Sequence, residues 1–414
     1  MLWEVFIYVA TYVGLFTGVF FFYTFLENKQ YLQNPKIKRF YDVSIIIPAY
    51  NESMTIARTI KSLLKLDYPK DKLKIIIVDD GSKDNTYEIA KRYLSKNVSV
   101  FTKPNSGKAR SLNFALEKID TELVGCLDAD SYADKFSLKK MIGYFDNGNV
   151  MAVVPSIKIS NAKGVLQQIQ KIEYLFAVYL KKVFSYLKSV YIAPGPLSIY
   201  RKSFLDKYGG WDENTLTEDL ELALRIQSKN FLIENSVDAN VYTVGPKNFK
   251  QLFNQRMRWY LGLMSNLLKY KSLFGKKYGD LGIFVLPSSF VFICFSIFAF
   301  FYLLRGFFRS FFDWVHNLSV VNFEFLSFVK MELEYLNFNF IYSPFFILTV
   351  IAIMFSVVVI YIAKVCSNEK TSMVIPYLLY LFMYWILFAF FWLMAGIYKL
   401  LSFDVKWGET SGSA

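Results

Sequence analysis

The sequence predicts an α/β domain, with a doubly wound sheet of parallel strands, inserted between membrane-spanning helices. Three observations predict it. Over residues 43–127 short β-branched runs alternate with amphipathic stretches, the pattern of strand–helix–strand units that lay strands in parallel. Both ends of the chain carry long apolar runs while the charges gather in the middle, and such runs are long enough to cross a bilayer. Acidic residues follow the apolar strands, at the edge where open α/β sheets bind their ligands.

Each element can be justified in chain order. Residues 2–26 hold one charge, Glu4. With no basic start and no small-residue cleavage site, they read as a retained spanning helix rather than a signal peptide. Lys29, Lys36, Lys38 and Arg39 follow and put the next segment in the cytoplasm by the positive-inside bias. Residues 43–47 are continuous and β-branched, a buried strand that ends in Pro48-Ala49-Tyr50-Asn51-Glu52. A helix is expected over 53–66, then a second strand over 73–78, closed by Asp79-Asp80-Gly81-Ser82. Asp84 can cap a helix running to residue 94, with Glu88 one residue beyond the capping-box position. A third strand is expected over 98–101, a polar loop over 103–108 containing Gly107, a helix to Lys118, and a fourth strand over 123–127 ending in Asp128-Ala129-Asp130.

Residues 164–188 place apolar side chains at helical spacing, with Lys171, Lys181, Lys182 and Lys188 among them. Such a helix packs on a sheet or lies in a membrane interface; the periodicity is common to both. Further spans are expected over 281–304, 342–363 and 373–400, with 305–341 as an external loop or interfacial segment and 408–414 as a disordered tail. The expected organisation is therefore a spanning helix at 1–27, the α/β domain at 40–245, interfacial helices at 246–278, a membrane region of about three helices at 279–403, and a tail at 404–414.

The net charge of +13 fits cytoplasmic loops of a membrane protein, and would also attract anionic lipid and a phosphate-rich substrate. No basic block stands apart from the membrane-flanking segments, which argues against nucleic acid. Cys126, Cys294 and Cys366 have neither metal nor disulfide spacing, as suits a reducing compartment. The single histidine, His316, falls in an expected late loop. Triads and zinc sites that need histidine are thereby excluded, and proton transfer falls to carboxylates.

The candidate chemistry lies in a few clusters. Asp128 and Asp130, two apart at a strand end, point the same way and can share a hard divalent cation, although a solvated turn also fits. Asp79 and Asp80 can accept hydrogen bonds from a nucleoside, or simply make a turn. Lys108, in a loop before a helix, can reach a phosphate. Asp219, in Thr217-Glu218-Asp219, can serve as a general base or as a helix-terminal carboxylate. Gln255, Arg258 and Trp259 share one helical face. The guanidinium suits a diphosphate and the indole a sugar ring, although a Trp-Arg pair is also common at membrane surfaces.

Over residues 43–262 these clusters, with Gly107-Lys108 and Gly195-Pro196, resemble the membrane-embedded family 2 glycosyltransferases. That group includes the cellulose, hyaluronan, chitin and poly-N-acetylglucosamine synthases. Residues 193–201 look most like the poly-N-acetylglucosamine branch. The resemblance implies a GT-A (Rossmann-like) nucleotide-sugar domain and an inverting transfer from a UDP-sugar to a growing polysaccharide. Pro48, Tyr50, Glu52, Asp79, Asp80, Lys108 and Asp128 would bind the donor. Asp130 with Asp128 would hold Mg2+ or Mn2+. Asp219, beside Glu218, would be catalytic. Gln255, Arg258, Trp259, Gly195 and Pro196 would bind diphosphate and acceptor. The catalytic domain would face the cytoplasm in a multi-pass protein of the cell membrane.

An alternative is a single addition to a lipid acceptor. A remote one is a non-catalytic scaffold or transporter, against which stand spanning runs nearly free of polar residues. Relative to the larger synthases, few spanning helices and no cyclic-dinucleotide-binding domain are expected, and residues 406–410 loosely echo the family's Trp-containing tail.

Overall fold

The structure, a computed structural model, describes residues 2–320, 323, 343–401 and 403. Helix α1 spans Leu2–Glu27. The first half of the central domain runs β1 (Val43–Ala49), α2 (Ile56–Leu64), β2 (Leu73–Asp79), α3 (Thr86–Lys91), β3 (Val98–Thr102), α4 (Lys108–Leu116) and β4 (Leu123–Cys126). Its second half runs β5 (Tyr132–Ala133), α5 (Ser137–Ile142), β6 (Val150–Ile159), α6 (Val165–Tyr186), β7 (Ser198–Arg201), α7 (Lys202–Tyr208), α8 (Glu218–Ser228) and β8 (Leu232–Thr243). Then come α9 (Phe249–Lys269), α10 (Leu286–Val320), α11 (Pro344–Cys366) and α12 (Val374–Leu400).

Among the described residues eight strands form one sheet, in the order β3-β2-β1-β4-β7-β6-β8-β5. Every residue of β1 is buried, and successive side chains serve opposite faces. Ile45 and Ile47 join Ile56, Ile60 and Leu63 of α2. Ile46 joins Leu112 of α4 and Leu222 and Ile226 of α8. Each fully buried side chain of this kind contributes ~1.5–3 kcal/mol. The parallel register pairs Ala49 with Asp79 and Ile46 with Cys126, so the segments after β1, β2 and β4 leave the sheet on one edge.

The four strands expected from the sequence, β1 to β4, are parallel to one another, and the second half of the domain makes the sheet as a whole mixed. β7 runs antiparallel to both β4 and β6, β8 is parallel to β6, and β5 is antiparallel to β8. β8 carries Glu234, Asn235, Asp238 and Asn240 and so lacks the apolar run that marks a buried strand, whereas β6 opens on one over residues 150–154 before Pro155 and Lys158. Polar side chains tie the two strands together: Asn235 Nδ2 donates to the Val154 carbonyl at 3.1 Å and Ser156 Oγ to the Val237 carbonyl at 2.6 Å.

Other local expectations also shift. Asn85, not Asp84, is the residue before α3, and α3 ends at Lys91 rather than 94; Asp84 Oδ1 accepts from Thr86 N at 3.0 Å. His316 lies inside α10, which continues past residue 304 to Val320. Residues 321–322, 324–342 and 404–414 fall outside the described residues, and with them the rest of the expected 305–341 segment and the tail.

Four helices among the described residues are long and apolar enough to cross a membrane: Tyr8–Glu27, Leu281–Val320, Phe346–Cys366 and Val374–Leu400. α6 packs on the sheet, as one of its two readings expected, and also against the long apolar helices. It contacts β6 and β8 on one side; on the other, Ile172, Leu175 and Tyr179 pack with Phe21 and Phe25 of α1 and Val359 and Ile360 of α11. Its basic side is partly interior: Lys182 is buried, its ammonium 3.3 Å from the Asn235 carbonyl. α9 docks similarly on α12, where Tyr260 and Trp392 stack at 4.2 Å.

Candidate active site

Backbone turns at the ends of β1 and β2 knit the first side of the site. Pro48 is buried in β1, Tyr50 is half-buried beyond it, and Asn51 adopts a positive φ of 55°. Asn51 N donates to Ser82 Oγ at 2.9 Å, and Asn51 Oδ1 accepts from Lys83 N at 2.8 Å. Glu52 N donates to Thr86 Oγ1 at 2.7 Å, and its carboxylate accepts from Thr55 Oγ1 at 2.5 Å. Desolvation pushes the Glu52 carboxyl up to about 7 against the Thr55 hydrogen bond, with the charges of Asp130 and Asp128 adding to the rise.

Asp79 and Asp80 are both buried but differently used. Asp79 Oδ2 accepts from Thr102 Oγ1 at 2.9 Å and Ser82 N at 3.3 Å, whereas its buried Oδ1 has no partner. Such an atom is costly unless a ligand donor reaches it. Asp80 is fully engaged: it accepts from Ser106 N at 3.0 Å and Gly107 N at 2.8 Å and pairs with Lys103. It therefore ties the 103–107 loop to the sheet edge and sets where α4 begins.

That placement delivers Lys108, the first residue of α4, into a cluster of charges. Its ammonium lies 2.7 Å from Asp128 Oδ1 and 2.9 Å from Glu218 Oε1. Burial pulls the Lys108 pKa down, but the two carboxylates outweigh it and hold it well above the ordinary value. Gly195 lies against this pair; a Cβ there would stand 2.8 Å from Lys108 Nζ and 3.1 Å from Asp128 Oδ1. The backbone at Gly195 thus lies directly against the lysine–aspartate pair. Gly195 N also donates to Asp219 Oδ2 at 3.2 Å, and Asp219 Oδ1 accepts from Leu220 N at 2.8 Å.

The adjacent acids at the start of α8 are driven apart. Glu218 is buried, yet Lys108 and Arg258 overcome the desolvation and hold its carboxyl below the usual range. Asp219 is pushed up to about 6 by desolvation and by the charge of Glu218, against the opposing pull of Lys108 and Arg258. One stays ionised as a counter-charge, while the other is poised to exchange a proton near neutrality. Asp130 is also pushed up to about 6, by desolvation and by Asp128 beside it, against a 2.8 Å hydrogen bond from Ser131 Oγ.

α9 closes the other side. Gln255 Oε1 is buried without a partner, the charge of Arg258 acts on both Glu218 and Asp219, and Trp259 is half-buried. Gly262 lets α9 approach the Thr217 side chain in direct contact. The structure thus joins Lys108, Asp128, Gly195, Glu218, Asp219 and Arg258 in one electrostatic unit. Asp79 and Asp80 stand on the same sheet edge, linked to it through Gly107 next to Lys108.

Asp128 and Asp130 are hard oxygen donors of the type a divalent cation takes. No group of three or more His, Cys, Asp or Glu side chains suited to a metal occurs among the described residues, so a cation there would complete its shell with oxygens of water or substrate.

Sequence reasoning missed contributions from α6 and α9. Lys181 lies near Asp219, its pKa drawn down to about 8 by desolvation against the pull of that acid. Arg256 forms a two-pronged ion pair with Glu173, both contacts at 2.7 Å. Glu173 is the single acid of α6 and Arg256 the first arginine of the Gln255–Trp259 run, and those were the available signals.

A family model described as "Glycosyl transferase family 2" matches residues 44–209. The probable glycosyltransferase YdaM of Bacillus subtilis (strain 168) is 30% identical over 286 residues, which is 67% of each chain. A poly-beta-1,6-N-acetyl-D-glucosamine synthase of Staphylococcus epidermidis is 31% identical over 256 residues, 60% of this chain and 62% of that protein's length. The chain therefore matches less than two thirds of that synthase. In fold it is similar to the mannosyltransferase PcManGT from Pyrobaculum calidifontis, solved in complex with GDP-Man and Mn2+, with a TM-score of 0.61 at 17% identity, over 96% of this chain and 99% of that one.

Proposed function

Because this chain belongs to glycosyltransferase family 2, we propose that it moves a sugar from a UDP-sugar to a growing polysaccharide at the cell membrane, with inversion. The observation that carries this reading is the split between Glu218, held ionised by Lys108, and Asp219, raised to about 6 beside it.

The nucleotide lies along the strand ends, where Asp79 Oδ1 awaits a donor. Pro48, Tyr50, Glu52 and Asp80 shape that end, and Lys108 and Asp128 the diphosphate end. Asp128 and Asp130 would hold Mg2+ or Mn2+, which when bound supplies positive charge to the diphosphate. Asp219 takes the proton of an acceptor hydroxyl. The hydroxyl oxygen attacks the anomeric carbon from the side opposite the diphosphate, the carbon–oxygen bond to UDP breaks, and Arg258 faces the charge that leaves. Trp259, Gln255, Gly195 and Pro196 hold the acceptor sugar.

Lys29, Lys36, Lys38 and Arg39 after the first span support a cytoplasmic domain of a multi-pass protein. Relatedness to a poly-beta-1,6-N-acetyl-D-glucosamine synthase supports UDP-N-acetylglucosamine as donor and an amino-sugar polymer as product. A second reading, one sugar added to a lipid, draws support from the docking of α6 and α9 onto the spanning helices, which puts the acceptor side next to the bilayer.

The test is UDP release by the purified chain across a panel of UDP-sugars, followed by chromatography of the product. A ladder with one donor supports extension and a single new species supports one addition. Absence of UDP release with every donor would defeat both.

A further inference from the structure

Residues 256 and 258 lie two apart on α9, about 200° around the helix axis, so their guanidinium groups serve different regions. Arg258 acts on Glu218 and Asp219. Arg256 turns to α6 and α12. Both its terminal nitrogens donate to Glu173 at 2.7 Å, and Tyr384 of α12 donates to the same carboxylate at 3.2 Å. Leu166, Ile169, Leu252, Leu387 and Phe388 wall the pair, and the Arg256 side chain is only 5% exposed. An ion pair so enclosed keeps one geometry, because leaving either charge unpaired there is strongly disfavoured. Glu173 takes the edge of the guanidinium, whose central carbon lies 4.4 Å from the centre of the Trp259 ring, over which it sits; residues three apart share a helix face. The flat fork that Glu173 fixes is therefore also a plate against which the indole rests.

We propose that Arg256, clamped by Glu173 and Tyr384, is a positioning residue that sets the plane of Trp259 and ties the acceptor platform to the spanning helix α12. This rests on the reading of Trp259 as that platform. Lysine at 256 keeps the charge for Glu173 but has no flat face.

The test uses the full chain in detergent, with UDP-N-acetylglucosamine as donor and an N-acetylglucosamine oligosaccharide as added acceptor. The emission of Trp259 is taken as the difference between the parent and Trp259→Phe. Arg256→Lys should shift that component to longer wavelength and raise the oligosaccharide KM about tenfold, with the donor KM unchanged. In the Trp259→Phe background it should have no further effect on either reading. Tyr384→Phe, which keeps both charges and is the gentler variant for folding, should move both in the same direction by less. An unshifted Trp259 component, or losses that multiply in the double variant, would overturn the proposal. If this donor gives no turnover at all, the functional reading fails separately, and the emission alone decides the positioning.

Discussion

The two sides of the site are held by different means. The strand-end side is fixed within the sheet domain: Asp80 holds the 103–107 loop, Asp79 holds Ser82 and Thr102, and Asn51 spans β1 and the turn after β2. The α8–α9 side is fixed from outside the sheet. α9 is packed by Phe391, Trp392 and Ala395 of the long apolar helix α12, and Arg256 is tethered to α6. The strand-end edge is thus built from the sheet alone, whereas the α8–α9 side depends on how the long apolar helices pack against it. Lys108 joins the two, since one ammonium pairs with an acid from each.

The comparison can be broken at four points. The largest effect is expected from Asp219→Asn, which removes the base but no strand-end contact. Transfer should fall by roughly 10²–10⁴-fold, while UDP-sugar affinity measured by calorimetry stays within about twofold. Equal losses of both would mean that the sides are not separable. Lys108→Met comes next. It leaves Glu218 buried and Asp128 partly buried with no ammonium between them, a change that costs about 3–5 kcal/mol in enclosed pairs. The thermal transition should drop and UDP binding weaken together; a variant as stable as the parent would show the link to be dispensable.

Gly262→Ala acts only on the α8–α9 side, because a Cβ there meets Thr217 directly. It should cost ~1–3 kcal/mol as overpacking and slow transfer, with donor affinity unchanged. The smallest effect is that of pH. With Asp219 raised to about 6, its proton stays on below that value and the base is lost, so the transfer rate should fall about tenfold per unit below pH 6 and level off above it. A rate flat from pH 5 to 8 would place the proton elsewhere.

The strands β1, β2, β3 and β4 could be read because each is a short apolar run between turn residues, a signal contained in a few neighbours. The acids that follow them were legible for the same reason. β8 was not, since polar residues interrupt its apolar run and find partners across the sheet, such as Asn235 on Val154; β6 carried an apolar run over residues 150–154 that went unread. Lys108 was readable as a candidate phosphate contact, but its partners 20 and 110 residues away, Asp128 and Glu218, leave no local periodicity. α6 gave its helix and its basic side, yet not that Lys182 turns inward or that Glu173 holds Arg256.

By itself, then, the order of residues determined where the first four strands, the long apolar helices and the candidate acids lie, because propensity and hydrophobic period act over a few positions. Tertiary structure decided which of two neighbouring acids keeps its charge, and which of two arginines faces the chemistry. Those outcomes depend on burial and on charges brought within a few ångströms by packing. The spacing along the chain carries no record of either.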